Sequence, residues 1–135
     1  MRFIVMGMAT KEAEAGPPPK PEAYAAMQKY NEELAKAGIL LAAEGLAPTS
    51  KGARLKFGGG KCTVIDGPFT ETKELVAGFS IIKVKSLEEA IEVVKRAPLF
   101  SANGEAVVEI RKLMDVEDFG EGFTPNEEIA KVKFK

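Results

Sequence analysis

The chain has 135 residues, of which 45% are hydrophobic and 29% are charged, and its formal net charge is −1. This length and composition predict one globular domain that is large enough to bury a sizeable core. Because acidic and basic residues are interspersed, the charge pattern argues against nucleic acid or a membrane surface as a partner.

The first predicted element is a strand over residues 2–9, in which both alternating faces are apolar. This segment is too short to span a bilayer, and it lacks the cleavage site of a secretory signal. The chain contains a single cysteine, Cys62, which cannot form an internal disulfide, so we expect a cytoplasmic protein. Cys62 falls in an apolar run, which predicts a buried and unreactive thiol.

Residues 10–20 include three consecutive prolines and are predicted to form an extended linker without helix. A helix is predicted to begin at Pro21, because proline suits the first turn and apolar residues follow at helical spacing. Gly38 is expected to end this helix in the left-handed conformation. Residues 39–46 then form the second predicted strand.

Two short strand-like segments, 54–57 and 61–65, flank a glycine triplet at positions 58–60. A β-hairpin is the favoured interpretation of this pattern. The alternative is a phosphate-binding loop, which requires a helix directly after the glycines. Residues 63–65 are strand formers, so the hairpin is preferred.

A third long strand is predicted over residues 76–85, and Gly78 within it indicates a bulge or a close approach of another backbone. Ser86 and Glu89 match the spacing of a capping box, which predicts a second helix that stops at Pro98. The buried stripe of this helix is predicted to contain Leu87, Ala90, Ile91 and Val94.

A loop over residues 99–104 and a last strand over residues 106–114 complete the predicted domain, residues 1–114. Its two βαβ-like halves predict an α+β fold, a ferredoxin-like βαββαβ plait with an inserted β-hairpin. Two short helices cover only one face of such a sheet, so the apolar other face predicts a homodimer that pairs through the sheet. Residues 115–135 form an acidic C-terminal tail, either mobile or packed on the partner chain.

The most distinctive motif is Asp66-Gly67-Pro68-Phe69, at the end of the inserted hairpin. In a structural interpretation, Asp66 accepts hydrogen bonds from backbone amides of a turn, Pro68 restricts the backbone and Phe69 anchors the loop. In a functional interpretation, Asp66 is a carboxylate at the mouth of a cleft. The structural interpretation is favoured because turn chemistry accounts for each residue type.

With Glu44-Gly45-Leu46 and Glu109-Ile110-Arg111, this motif resembles the DGPF, or YCII-related, family over most of residues 1–113. The resemblance implies a dimeric α+β barrel, in which two plaits meet through their sheets around a central cleft. Relatives often carry a histidine on the first helix and an aspartate near the end of the second, as a proposed catalytic pair. This chain has no histidine, and Met27 and Ala97 stand near those two positions.

Alternation on the last strand places Glu109 and Arg111 on one face. There they bind a ligand, or, in the favoured alternative, they pair with each other or with charges of a partner chain. The candidate ligand-binding residues are Met27, Tyr30, Phe79, Glu109 and Arg111. The candidate general bases are Glu44, Asp66 and Glu109. The chain has no histidine, which excludes a histidine-containing metal site and a Ser-His-Asp or Cys-His apparatus. Neither a metal site nor a cofactor is predicted.

The favoured function is a dimeric small-molecule-binding protein with a cleft at the sheet–sheet interface. One alternative is a cofactor-independent enzyme, isomerase- or monooxygenase-like, that uses a cleft carboxylate; it rests on analogy with proteins of similar fold. The other alternative is a regulatory protein-interaction module that uses the acidic tail.

Overall fold

The structure, a computed structural model, describes residues 1–15, 20–71, 74–98, 106–122, 124 and 126–132. Single-turn 3₁₀ helices at Thr49–Lys51 and Val116–Phe119 accompany the main elements. In chain order, these elements are β1 (Arg2–Met8), α1 (Lys11–Glu14), α2 (Pro21–Lys36), β2 (Leu40–Gly45), β3 (Ala53–Gly58), β4 (Lys61–Asp66), β5 (Val76–Lys83), α3 (Leu87–Lys95), β6 (Val108–Lys112) and α4 (Glu127–Val132).

The main sheet has four strands in the order β2-β5-β1-β6, and all neighbours are antiparallel. Helix α2 connects β1 to β2, and α3 connects β5 to β6, so the chain contains two βαβ-like halves. Strands β3 and β4 form a separate two-stranded sheet. The predicted ferredoxin-like α+β fold with an inserted hairpin is confirmed. Pairing through the sheet into a dimeric barrel concerns a second copy and stays a prediction.

The hydrophobic core lies between one face of the main sheet and the helices α2 and α3. At the centre of this core, Ile82 of β5 is only 1% exposed. Complete burial of such a side chain contributes about 1.5–3 kcal/mol. The buried members of the cluster are Phe3, Leu34, Ile82, Val84, Ala90 and Val93.

Local signals define both ends of α2 as predicted. Pro21 occupies the first turn, and Gly38 adopts a φ of 75°, the left-handed conformation that ends a helix. At the start of α3, the Ser86 hydroxyl accepts a hydrogen bond from the Glu89 amide at 3.1 Å. The Glu89 carboxylate in turn accepts from the Lys85 amide at 2.9 Å.

The predicted buried stripe of α3 is wrong at two positions. Leu87 and Ile91 are 45% and 38% exposed, whereas Ala90 and Val93 are buried. The helix turns its small Ala90 toward the core, because a methyl group allows the helix to approach the sheet closely. Leu87 and Ile91 are therefore carried to the rim of the packed face.

The predicted linker contains a short helix, so the prediction was wrong for residues 11–14. The Thr10 hydroxyl accepts a hydrogen bond from the Ala13 amide at 3.1 Å, which caps α1 before the prolines are reached. The prolines at 17–19 lie outside the described residues, as does the predicted loop over residues 99–104. No helix in the described ranges is long and apolar enough to cross a membrane.

The hairpin β3–β4 confirms the favoured interpretation of the glycine triplet. Gly59 and Gly60 have φ values of 58° and 75°, which a two-residue hairpin turn requires, and a strand follows them. Cys62 is exposed, so the prediction of a buried thiol was wrong. The reason is that, within the described residues, β3 and β4 pair only with each other and no second layer covers them.

Candidate ligand-binding cavity

A cavity of about 500 Å³ lies between the main sheet, α2 and the C-terminal part of α3. Pockets of this size hold small organic molecules. Its sheet side comes from the end of the sheet at which β2 stops and β5 begins. Its helical walls include Met27, Tyr30, Val94 and Ala97.

Side-chain size falls steadily along the helix-facing side of the sheet, and this fall opens the cavity. Residues opposite each other in neighbouring strands point to the same face, so the register defines rows of side chains. Across β2, β5 and β1, the three successive rows are Leu40–Ile82–Phe3, Ala43–Ser80–Val5 and Gly45–Gly78–Gly7. The first row fills the core, and the third supplies no side chain.

The three glycines of the last row differ in the space around them. A Cβ on Gly78 would lie 3.2 Å from the Glu44 carbonyl oxygen, which confirms the predicted close approach of another backbone. A Cβ on Gly7 would have its nearest neighbour, the Gly78 oxygen, at 3.9 Å, and one on Gly45 would meet nothing within 4 Å. Larger side chains at Gly7 or Gly45 would thus occupy the cavity instead of clashing with the backbone.

Tyr30 joins the two helices beside the cavity. Its hydroxyl donates a hydrogen bond to the Val93 carbonyl at 2.7 Å. Burial raises the pKa of the Tyr30 phenol above its ordinary value of 10.0, and the positive charge of Arg96 opposes this effect. The phenol is therefore neutral near pH 7, and its oxygen retains the ability to accept a hydrogen bond from a ligand.

The structure divides the predicted ligand-binding residues between the two sides of the sheet. Met27 and Tyr30 line the helix-side cavity. Glu109 pairs in register with Met6, and Arg111 pairs with Ile4, so both point away from the helices. Phe79 also pairs with Met6, so it shares the face of Glu109 and Arg111, although it borders the cavity as well.

The face of the sheet away from the helices, called here the open face, brings several candidate residues together. Two adjacent rows across β2, β5, β1 and β6 are Glu44–Phe79–Met6–Glu109 and Ala42–Ile81–Ile4–Arg111. The predicted alternation on the last strand is confirmed, since Ile110 packs against the core. The ion pairs of the described residues do not join Glu109 to Arg111.

Asp66 lies apart from both of these places, at the exposed end of β4. Its predicted hydrogen bond to the turn does not form, because the residue two positions on is Pro68, which has no N–H. The loop is instead anchored by Thr49, whose hydroxyl accepts from the Phe69 amide at 3.0 Å and donates to the Glu14 carboxylate. The Thr49 amide also donates to Glu14, at 2.9 Å.

The motif packs closely against this anchor. The Gly67–Pro68 peptide bond is cis, and a Cβ on Gly67 would lie 1.6 Å from the Thr49 carbonyl oxygen. The Phe69 ring is half-buried and lies 4.0 Å beneath the Arg54 guanidinium. Gly67, Pro68 and Phe69 thus pack at the base of the hairpin, whereas the hydrogen bond that the structural interpretation assigned to Asp66 is not formed.

Sequence reasoning did not identify the glycine row as part of a site. Gly7 and Gly45 each lie inside a predicted strand, where glycine is unfavourable and indicates a bulge or a close contact. That local signal was present, but the shared row depends on register. Among the described residues, no group of three or more histidine, cysteine or acidic residues is arranged to hold a metal ion.

Comparisons with known proteins place this chain in a family. An uncharacterized protein of Rhizobium meliloti (strain 1021) is 43% identical over 68 residues, which make up 50% of this chain and 52% of that protein. The match therefore spans about half the length of this curated relative.

One similar solved structure is 5-chloro-2-hydroxyhydroquinone dehydrochlorinase from Burkholderia phenoliruptrix AC1100, in complex with 2,5-dihydroxybenzoquinone. The match covers 81% of this chain and 91% of the dehydrochlorinase chain. The identity is 20% and the TM-score 0.42. The family model of the YCII-related domain matches residues 1–116. This match confirms the resemblance read from the Asp66-Gly67-Pro68-Phe69 motif: the chain belongs to the YCII-related family.

Proposed function

We propose that this protein binds a small, mainly apolar organic molecule in the cavity between the main sheet, α2 and α3. The observation that carries the proposal is the row Gly45–Gly78–Gly7, which leaves the floor of the cavity without side chains. A volume of about 500 Å³ accommodates a molecule of one or two rings.

The walls define the chemistry of the ligand. Met27, Val94 and Ala97 present apolar surface, and the methionine thioether packs well against aromatic rings. The Tyr30 hydroxyl already donates to a backbone carbonyl, so toward a ligand it acts as an acceptor. The best ligand is therefore an aromatic ring that carries a hydroxyl or amino donor.

Binding without acid–base chemistry is the simplest use of this cavity. Met27 and Ala97 stand near the positions at which the family resemblance implies an ionisable pair, and both line the cavity. Neither side chain can transfer a proton. The Glu109 carboxylate belongs by register to the open face, on the other side of the sheet. Glu44 shares that face by register, although like Phe79 it also borders the cavity.

Ligand-observed NMR tests this proposal. The probes are 4-ethylphenol and 4-ethylaniline, with 4-ethylanisole as the analogue without a donor. We expect the first two probes to bind the unmodified protein, and Gly7→Val to weaken binding at least about tenfold by filling the floor. Gly58→Val is the matched control, because Gly58 lies in β3 and its Cβ would meet nothing within 4 Å.

One result would reject the helix-side cavity as the binding site: equal affinity of the probes for Gly7→Val and Gly58→Val, with both variants folded as judged by circular dichroism. Equal affinity of the unmodified protein for the three probes would reject Tyr30 as the acceptor, since a site that accepts from the ligand must discriminate against the analogue without a donor.

The open face supports a second candidate function. In a homodimer that pairs through this face, Glu44, Glu109 and Arg111 would line a cleft together with Phe79, and a carboxylate there could act as a general base. Arg111→Gln separates the two candidates: it lowers probe affinity if the ligand lies in the sheet–sheet cleft and leaves it unchanged if the ligand lies between helices and sheet.

We also propose a reducing, cytoplasmic location, which would keep the exposed Cys62 thiol free.

A further inference from the structure

Ser80 of β5 lies where the packed core ends and the cavity begins. Its neighbours on the helix-facing side of β5 are Ile82, which is buried in the core, and Gly78, which belongs to the floor of the cavity. Residues two positions apart in a strand are separated by about 6.6 Å. A ring that lies over the glycine row therefore has one edge close to the Ser80 side chain.

Ser80 interrupts a surface that is otherwise apolar. Its row contains Ala43 on β2, Val5 on β1 and Ile110 on β6. In the three helix-facing rows of the described sheet, the only other polar side chain is Lys112, which lies on the edge strand β6 and forms an ion pair there. Ligand sites typically combine apolar walls with a few polar groups, among them serine and tyrosine hydroxyls.

The Ser80 hydroxyl has no hydrogen-bond partner among the described residues. In the same part of the chain, every fully buried side-chain nitrogen or oxygen does have a partner. Ser80 is half-buried, so its oxygen retains access to the cavity that the residue lines. A hydroxyl has one donor and two acceptor sites, and all of them are available to a ligand here.

Tyr30 and Ser80 line the cavity from opposite walls, one from helix α2 and the other from the sheet. The Tyr30 hydroxyl already donates to the Val93 carbonyl, so toward a ligand it accepts. The Ser80 hydroxyl has its donor free, and a donor without a partner is tolerated less well than an acceptor in a site shielded from water. The group that best complements Ser80 is therefore an acceptor. A ligand that contacts both residues carries a donor at one end and an acceptor at the other.

We propose that Ser80 determines the specificity of this cavity, and that the ligand is a phenol or aniline with a hydrogen-bond acceptor, such as a carbonyl group, at the opposite end of the ring. The ring lies over the row Gly45–Gly78–Gly7, its hydroxyl or amino group donates to Tyr30, and its carbonyl oxygen accepts from Ser80. This inference rests on the proposed function, since it assigns a ligand class to the same cavity.

Two probes of nearly the same shape test this assignment. 4-Hydroxyacetophenone carries the carbonyl oxygen, and in 4-isopropylphenol a methyl group takes its place. Ligand-observed NMR titrations give the dissociation constants for the unmodified protein, Ser80→Ala and Ser80→Thr. We expect Ser80→Ala to weaken binding of 4-hydroxyacetophenone about three- to tenfold, the range for one neutral hydrogen bond, and to change binding of 4-isopropylphenol less than about twofold. Ser80→Thr retains the hydroxyl and is expected to retain the preference for 4-hydroxyacetophenone.

Ser50→Ala is the matched control, because it removes the same oxygen from an exposed serine outside the cavity. We expect this variant to bind both probes as the unmodified protein does. Ser80→Ala deletes a hydroxyl that has no partner among the described residues, so we expect it to fold normally. Circular dichroism of both variants verifies that they are folded.

Three results would overturn the inference. The first is a Ser80→Ala variant that weakens binding of both probes equally, and the second is one that weakens neither. Either result rejects the contact with Ser80 alone, since a loss of binding in Gly7→Val would still place the probes in the cavity. The third is an unmodified protein that binds neither probe, which would reject the proposed function and this inference together.

Discussion

Gly7 of β1 lies directly opposite Gly78 of β5, and this pair leaves the floor of the cavity between sheet and helices without side chains. The two glycines have different local surroundings although they share one row. Gly78 lies against the backbone of β2, whereas Gly7 faces open space on its helix side. Their substitution by the same residue should therefore have opposite effects on stability.

Gly7→Ala is expected to raise the free energy of unfolding by about 0.4–1 kcal/mol, because alanine restricts the unfolded chain without a clash in the folded one. Gly78→Ala is expected to lower it by a similar amount or more, because the new Cβ would lie 3.2 Å from the Glu44 carbonyl oxygen. Urea unfolding of the two variants measures both values. Equal values for the two would show that the register of β2 against β5 is wrong.

Gly67→Ala is expected to destabilise the protein by more than about 2 kcal/mol, since a Cβ there overlaps the Thr49 backbone and forces the loop to move. The distance from that Cβ to the Thr49 oxygen would be 1.6 Å. Gly52→Ala is the matched control, because its Cβ would lie 3.7 Å from the same oxygen. If thermal unfolding shows the same loss for both variants, the hairpin base does not pack against Thr49 as described.

Tyr30 is expected to ionise above pH 10.0, because burial raises its pKa in the folded state. The folded state then holds this proton more tightly than the unfolded state, so stability is unaffected by it below pH 10 and falls as pH rises through the folded pKa. Absorbance at 295 nm in a Tyr24→Phe variant isolates the Tyr30 phenolate, since the chain has two tyrosines and no tryptophan. A midpoint at or below the ordinary value would contradict the burial of this hydroxyl.

Ser86→Ala is expected to cost about 1 kcal/mol of stability, because the Glu89 amide loses its acceptor at the start of α3. Ser86→Asn retains an acceptor and is expected to change the free energy of unfolding by less than about half as much. Chemical denaturation of both variants provides the comparison. A loss of equal size in both would assign the effect to packing of the serine and not to capping.

Asp118 is expected to titrate below its ordinary pKa of 3.8, mainly because the Lys112 ammonium donates a hydrogen bond to it and also because the Asp115 amide does. The attachment of the C-terminal segment to β6 is then fully present above pH 4 and is lost as pH falls through the lowered pKa. Carboxyl ¹³C NMR measures the midpoint for Asp118 directly. In Lys112→Gln the midpoint should move back toward 3.8, and no movement would mean that this contact is absent in solution.

Much of the secondary structure was predictable because its signals are local. Pro21 and Gly38 delimit α2, Gly59 and Gly60 form the hairpin turn, and the Ser86 cap begins α3. Strand alternation in the same way assigned Glu109 and Arg111 to one face, and the family motif predicted the plait. Local signals could not orient α3, since Leu87 and Ala90 both fit a helical stripe and only packing on the sheet decides between them.

The sequence by itself determined the order of the strands, the places of the helices α2 and α3, and the family, because these depend on periodicity, turn residues and a contiguous motif. Tertiary structure alone decided where the cavity lies. Gly7, Gly45 and Gly78 come from three separate parts of the chain, and only the register of β2, β5 and β1 aligns them in one row. The exposure of Cys62 was decided in the same way, since an apolar strand is buried only if another layer covers it.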